Sequence, residues 1–234
     1  MAARKQLGRR EFLRSAGGAL SILAVTTPMQ SATSSASPGN LPPVKRDPAQ
    51  LRRLLSEMDA KGAQFWSVPR RDGELLHFLV KATRAKNVLE VGTSHGYSAI
   101  WMGLALEETD GQLITIEIDA ARHDLARKHV SEAGLSQRVT LLKGDAHGEV
   151  TRLDGSFDFV FLDADKEGQG DYFSKLYPKR LMPGGVLAVH NAIRQAGSMK
   201  DYLDMIRKHP DFDTVTVSAT MDDGFCLSYR HRAS

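Results

Sequence analysis

Four short stretches of this 234-residue chain carry side chains whose types and spacing could do chemistry. Residues 163–166 are Asp-Ala-Asp-Lys, and residues 190 and 191 are His and Asn. A carboxylate, an imidazole and an amide oxygen are donors that one divalent cation accepts, so Asp163, His190 and Asn191 are candidate metal ligands. Lys166 is near enough in sequence to Asp163 to reach a substrate held there, and is the candidate base. Upstream, residues 90–98 are Glu-Val-Gly-Thr-Ser-His-Gly-Tyr-Ser, an acid followed by a glycine turn. Glu117 and the stretch Gly144-Asp145-Ala146 complete the set.

These groups can act together only if the fold gathers them. Residues 48–60 carry leucines at helical spacing, and residues 71–82 predict a second amphipathic helix. Strands and helices then alternate. Strands are expected over 87–91, 112–118, 138–143, 157–163 and 186–190. The helices between and after them cover 97–106, 121–133, 172–181 and 199–208. Pro183-Gly184-Gly185 is expected as a turn. Residues 214–218 and 225–229 close the pattern as a strand pair around Asp222-Asp223-Gly224. The alternation implies an α/β fold: a doubly wound, mostly parallel, seven-stranded sheet with helices on both faces. Its strands are nearly continuous apolar runs, as burial on both sides demands. Ligands of such sheets bind beyond the carboxyl ends of the strands. Every candidate residue above falls at such an end.

The first strand runs into Glu-x-Gly-x-x-x-Gly, not the Gly-x-Gly-x-x-Gly of dinucleotide enzymes. Pyrophosphate needs glycines and a helix N-terminus to approach it. S-adenosylmethionine has no phosphate and presents an amine, a carboxylate and a sulfonium. Glu90 can pair with the amine, and backbone N–H groups near residues 92–98 can meet the carboxylate. Glu117, about twenty residues past the glycines, can accept the ribose hydroxyls. Asp145 and Ala146 mark where adenine would lie.

Glu90 to Gly96, Glu117, Asp163 to Lys166 and Asn191 together resemble the class I cation-dependent O-methyltransferases, the family of the catechol and caffeoyl-CoA enzymes. The likeness runs from about residue 61 to residue 229. It implies a Rossmann-like class I methyltransferase fold. It implies that Val68, Glu90, Gly92, Thr93, Ser98, Glu117, Ala146 and Asp163 line a cofactor site. It also implies that Asp163, His190 and Asn191 hold one divalent metal, magnesium by resemblance, and that Lys166 is the base. The substrate expected is a small aromatic vicinal diol, and the likeness allows a homodimer. Two departures stand out. The family usually has Asp where this chain has His190, and nitrogen suits zinc, manganese, iron or cobalt better than magnesium. If the ring points away, Asp163 and Asn191 hold the ion alone. Glu167-Gly168-Gln169-Gly170 replaces the usual sequence after the acid, and its glycines are expected to loosen the loop. The connection 191–199 is short, as in the catechol enzyme. Trp66 and Tyr202 are candidates either for walls of an aromatic pocket or for the core.

Composition narrows the setting. The single cysteine, Cys226, excludes an internal disulfide and reads as core filler. The chain has net charge +3, but residues 1–36 hold five basic residues and one acid, so removing that +4 leaves −1. The body shows no basic stripe with interleaved aromatics, which argues against nucleic-acid binding. The tail carries Arg9-Arg10-x-Phe12-Leu13, then a short apolar run, then a Ser/Thr/Ala/Pro stretch. This is the layout of a twin-arginine export signal over 1–36, with a linker over 37–47 and the catalytic domain over 48–234. The apolar run is too short for a stable membrane span. A periplasmic location sits awkwardly with a cofactor made in the cytoplasm. Two rivals stay open: an exported binding module of the same fold that has lost turnover, which the signal and His190 favour, and a nicotinamide-dependent oxidoreductase, against which the absence of Gly-x-Gly-x-x-Gly and the metal-type strand ends argue.

Overall fold

The computed structural model describes residues 46–219 and 223–232. The expected export signal, its cleavage region and most of the linker lie outside these residues. Chain entry is fixed by Arg46, whose guanidinium donates to both carboxylate oxygens of Glu107 at 2.8 and 2.5 Å. Asp47 then caps helix α1 (Pro48–Ala60) by accepting from Ala49 N at 2.8 Å, with proline at the first turn where its missing N–H costs nothing. A one-turn helix α2 (Gly62–Phe65) and helix α3 (Arg70–Ala82) follow.

The alternating part contains β1 (Asn87–Val91), α4 (Tyr97–Thr109), β2 (Gln112–Glu117), α5 (Ala120–Glu132) and β3 (Val139–Lys143). It continues with α6 (Ala146–Arg152), β4 (Phe157–Leu162), α7 (Gln169–Leu176), β5 (Leu181–His190), α8 (Lys200–Arg207), β6 (Phe212–Val217) and β7 (Phe225–Arg230). The seven strands form one sheet in the order β3-β2-β1-β4-β5-β7-β6. β1 to β5 are mutually parallel, while β7 runs antiparallel to both β5 and β6. The chain winds outward from β1 in one direction and from β4 in the other. The ends of β1 and β4 thus flank a topological switch point, where α/β sheets open a ligand crevice.

Strand side chains alternate between faces, and two cores result. Val88, Phe159, Phe161, Ala188 and Phe225 pack with residues of α1, α3, α4 and α5. Leu89, Val91, Val160, Leu162, Leu187, Val189 and Cys226 pack with α6, α7 and α8. Each such side chain removed from water contributes roughly 1.5–3 kcal/mol. Cys226 is wholly buried in β7, as core filler should be. Among the described residues, no helix is long and apolar enough to cross a membrane.

The local expectations fail in three places. The helix expected over 172–181 instead starts at Gln169 and stops at Leu176, because Pro178 follows its C-cap Tyr177 and the residue before a proline is driven to extended backbone. The expected turn Pro183-Gly184-Gly185 lies inside β5. Phe157 pairs with Leu181 but Phe159 pairs with Val186, so the extra residues form an irregularity in the strand. Helices α2 and α6 were not expected; both are short, and α6 buries only Ala146 and Val150.

Candidate active site

The strand ends open onto a cleft of about 1170 Å³. Its floor is the turn from β1 to α4. Gly92 has φ +97°, and a Cβ there would meet the Asp163 carbonyl oxygen at 2.6 Å, so only glycine lets this turn approach the end of β4 so closely. The turn is pinned by Gly92 N and Thr93 N donating to Ile116 O at 3.0 and 3.2 Å. Ser94 N donates to Glu117 Oε2 at 2.7 Å, and Asp119 N donates to Glu117 Oε1 at 2.9 Å. Val68, Gly92, Thr93, Ser98, Glu117, Asp145, Ala146 and Asp163 all line the cleft.

Glu90 sits just below that lining, wholly buried. Its carboxylate accepts hydrogen bonds from Ser98 Oγ and, at 2.6 Å, from Thr115 Oγ1. Thr115 also touches the Thr93 hydroxyl. Burial pushes the Glu90 carboxyl up to about 7, the two hydroxyls only partly opposing it. A buried carboxylate with two hydroxyl donors and, among the described residues, no cation hydrogen-bonded to it is a cradle for a cation. Together with the cleft, it fits the amine end of S-adenosylmethionine.

Beside this turn, the ends of β4 and β5 form a mouth to the cleft. Lys166 Nζ donates to Asp163 Oδ1 at 2.7 Å, and both side chains are largely shielded. His190 Nδ1 lies 3.2 Å from the same oxygen. The other ring nitrogen, Nε2, lies 2.8 Å from Asp72 Oδ2, which α3 supplies. Burial opposes a charged imidazole, but the Asp163 and Asp72 carboxylates outweigh it and raise His190 to about 9. Burial likewise opposes the Asp163 charge, and His190 and Lys166 reverse that, holding the carboxyl below its ordinary value.

Asn191 follows in left-handed backbone, φ +62°, a conformation asparagine tolerates better than most residues. Its amide nitrogen donates to Asp223 Oδ1 at 3.3 Å, and Arg194 Nη1 reaches the same oxygen at 3.2 Å. The backbone from 192 to 194 donates to Gly224 O and Asp223 O, so the start of β7 holds the turn that follows β5.

The donors fit a divalent cation. Two ligand atoms of one ion, each roughly 2.1 Å from it and at right angles, stand about 3 Å apart, and Asp163 Oδ1 and His190 Nδ1 are 3.2 Å apart. The ring does not point away. A carboxylate on its far nitrogen is the usual partner of a ligating histidine. Ligand atoms of Asp72, His190 and Asp223 also lie within 4.8 Å of one another, which places two further carboxylates around such an ion.

The fold therefore gathers Asp163, Lys166, His190 and Asn191 at one mouth, as their place at strand ends implied. Trp66 is 78% exposed at the cleft rim, in left-handed backbone, with Arg122 stacked 4.6 Å from its ring centroid. Tyr202 does not line the cleft. It is buried in α8 against Phe173, because the strongly one-sided apolar face of α8 turns it inward. In the 167–170 loop, Gln169 is buried and donates to Asp165 O at 3.1 Å, and a Cβ at Gly168 would meet the Asp165 carboxylate. Sequence reasoning missed Asp72 and Asp223. The first reads as an ordinary first-turn acid of a helix, and the second as a hairpin residue.

A carboxylate cradle, a Gly92 turn at the switch point and a Lys-Asp-His-Asn mouth define a class: enzymes of the class I methyltransferase fold. The O-methyltransferase family model matches residues 44–222, and the chain belongs to that family. It is 33% identical over 198 residues to a catechol O-methyltransferase of Mycobacterium tuberculosis, covering 78% of this chain and 88% of that protein. It is 39% identical over 133 residues to a catechol O-methyltransferase of Niastella koreensis, covering 55% of this chain and 59% of that protein. Among solved structures, an O-methyltransferase of Bacillus cereus in complex with S-adenosylhomocysteine superposes with TM-score 0.70 at 26% identity, covering 80% of this chain and 92% of that one. An O-methyltransferase of Streptomyces achromogenes in complex with S-adenosylmethionine, involved in tomaymycin synthesis, gives TM-score 0.68 at 28% identity, with the same shares covered.

Proposed function

We propose that the protein transfers the methyl group of S-adenosylmethionine to one hydroxyl of a small catechol-like substrate, with Lys166 as base and Asp163, His190 and Asn191 as ligands of one divalent metal. The observation that carries this reading is the convergence of Lys166 Nζ and His190 Nδ1 on Asp163 Oδ1, at 2.7 and 3.2 Å, beside the cofactor turn. The names of the two bacterial relatives support the substrate class.

A divalent ion at this mouth would acidify the diol, hold two of its oxygens, and compete with the Lys166 ammonium for the Asp163 charge. The protein's own groups do the rest. Glu90 and the Gly92 turn anchor the amino-acid end of the cofactor, and Glu117 its ribose, so the sulfonium is directed at the mouth. Lys166, once its ammonium has released a proton to solvent, takes the hydroxyl proton on the neutral Nζ. The freed oxygen attacks the methyl carbon in line, the carbon–sulfur bond breaks, and its electron pair stays on sulfur. Two opposite charges disappear in that step, which a water-poor mouth favours. Orientation of the two reactants can contribute up to about 7–11 kcal/mol to the barrier reduction.

The test is incubation of the full chain, stripped of metal, with S-adenosylmethionine, a panel of catechols and single divalent ions, followed by mass detection of monomethylated product. Product that requires an ion is expected, with manganese, cobalt, iron or zinc exceeding magnesium. His190→Asp should shift the preference toward magnesium. Product formed equally well in chelator would remove the metal from the account. Equal magnesium activity in both proteins would remove the role given to His190.

A further inference from the structure

One buried charge at the mouth has no part in the reaction just described. Asp72, in the first turn of α3, is wholly shielded from solvent, and its partner His190 is 118 residues away in sequence. Aspartate is almost never fully buried unless paired. Here the pairing joins α3 to the end of β5. α3 lies close enough because Gly73 presents its bare Cα to the Trp101 indole, where a Cβ would collide. The imidazole is confined on its other sides by the rings of Phe225 and Phe161, at centroid distances of 5.0 and 6.3 Å. Both ring nitrogens face carboxylates, Nε2 that of Asp72 at 2.8 Å and Nδ1 that of Asp163 at 3.2 Å, so an ion that displaces the Nδ1 proton leaves the ring hydrogen on Nε2, held by Asp72, and the lone pair on Nδ1.

We propose that Asp72 is the positioning residue of the metal centre: it fixes the rotation and tautomer of His190 so that Nδ1 is presented to the ion. The preference for a nitrogen-accepting ion then belongs to the Asp72–His190 pair and not to His190 alone. Outer carboxylates of this kind orient ligating histidines and raise their basicity. The pair also explains how a histidine can stand where two carboxylates would otherwise be side by side without water. Changing His190 back to aspartate while Asp72 remains creates that unfavourable arrangement. The inference rests on the metal reading above.

Cobalt(II) titration of the full chain, followed by visible absorption and calorimetry, tests it, with S-adenosylhomocysteine binding as the check on folding. Asp72→Leu, which has no acceptor, is expected to weaken cobalt binding about 10–100-fold and to change the visible band. Asp72→Asn keeps an acceptor oxygen and should lose less. His190→Asp should melt well below the parent protein, and the double change Asp72→Asn/His190→Asp should recover most of the difference. Asp72 variants that bind S-adenosylhomocysteine and titrate with cobalt like the parent, with the same band, would overturn the proposal while leaving the metal reading intact. A parent protein that binds S-adenosylhomocysteine but takes up no cobalt would remove the metal reading, and the role of Asp72 with it. If Asp72→Leu does not fold, Asp72→Asn and the double variant decide: parental cobalt affinity in the first and no recovery in the second overturn the proposal.

Discussion

Glu90 shows how one residue can tie cofactor binding to pH. Its carboxyl has a folded-state value of about 7 against an ordinary value of 4.5, because burial disfavours its charge. An acid whose folded value is raised lowers stability as pH rises. The unfolded chain begins to ionise near 4.5, the folded protein resists until about 7, and the full cost is present above that. That cost is on the order of 3 kcal/mol. Relative to Glu90→Gln, the cofactor-free parent protein should therefore lose stability in thermal melts as pH rises from 5 to 7, since the opposite contribution of His95, which burial lowers to about 4, is common to both proteins. The cationic amine of S-adenosylmethionine compensates the buried charge, so its affinity should rise over the same interval in the parent protein and not in Glu90→Gln. Identical pH dependence of melting in the two proteins would contradict this account of Glu90. Much of the site at this scale was legible in sequence, because Glu90, Gly92, Glu117, Asp163, Lys166, His190 and Asn191 all stand at strand ends. The roles of Asp72 and Asp223 were not, because their partners are set by tertiary packing between distant segments.

At the scale of elements, the same contrast has a physical basis. Long apolar runs and strong helical periodicity specify β1, β2, β4, α1 and α3 before any packing is known. Helix α6 offers seven residues with two buried side chains, too little for periodicity to register. The end of α7 and the start of β5 turn on a single proline and on an irregularity that only pairing with β4 reveals. Element packing also carries a prediction about the site. α3 reaches His190 because Gly73 lets it lie against Trp101. Gly73→Ala should push α3 outward and destabilise the fold by about 1–3 kcal/mol, the usual cost of overpacking. It should weaken cobalt binding more than S-adenosylhomocysteine binding, since the cofactor cleft does not depend on that contact. Chemical denaturation and the two titrations check both parts. An unchanged melting midpoint would mean that Trp101 moves aside freely.

For the whole molecule, the division of charge is the informative feature. The body is close to neutral, and the basic excess lies in residues 1–36. We propose that this segment is a twin-arginine address, a pathway that carries folded proteins. Replacing both Arg9 and Arg10 by lysine should then retain the protein in the cytoplasm of a host with that pathway, whereas the parent sequence appears in the periplasm. Equal distribution of the two by cell fractionation would remove the export reading. The seven-stranded order, with its switch point between β1 and β4, brings the Glu90 pocket and the Asp163, Lys166 and His190 cluster side by side at one cleft. That arrangement makes the central claim about chemistry accessible to a single measurement. In the full chain, supplied with S-adenosylmethionine, a catechol and its preferred ion, Lys166→Ala should lower methylated product detected by mass spectrometry by at least about 100-fold, the usual contribution of a positioned base, while S-adenosylhomocysteine binding stays within a few-fold of the parent. Product formed by Lys166→Ala at the parental rate would contradict the assignment of the base, and with it the reading of this mouth as the place where the methyl group is transferred.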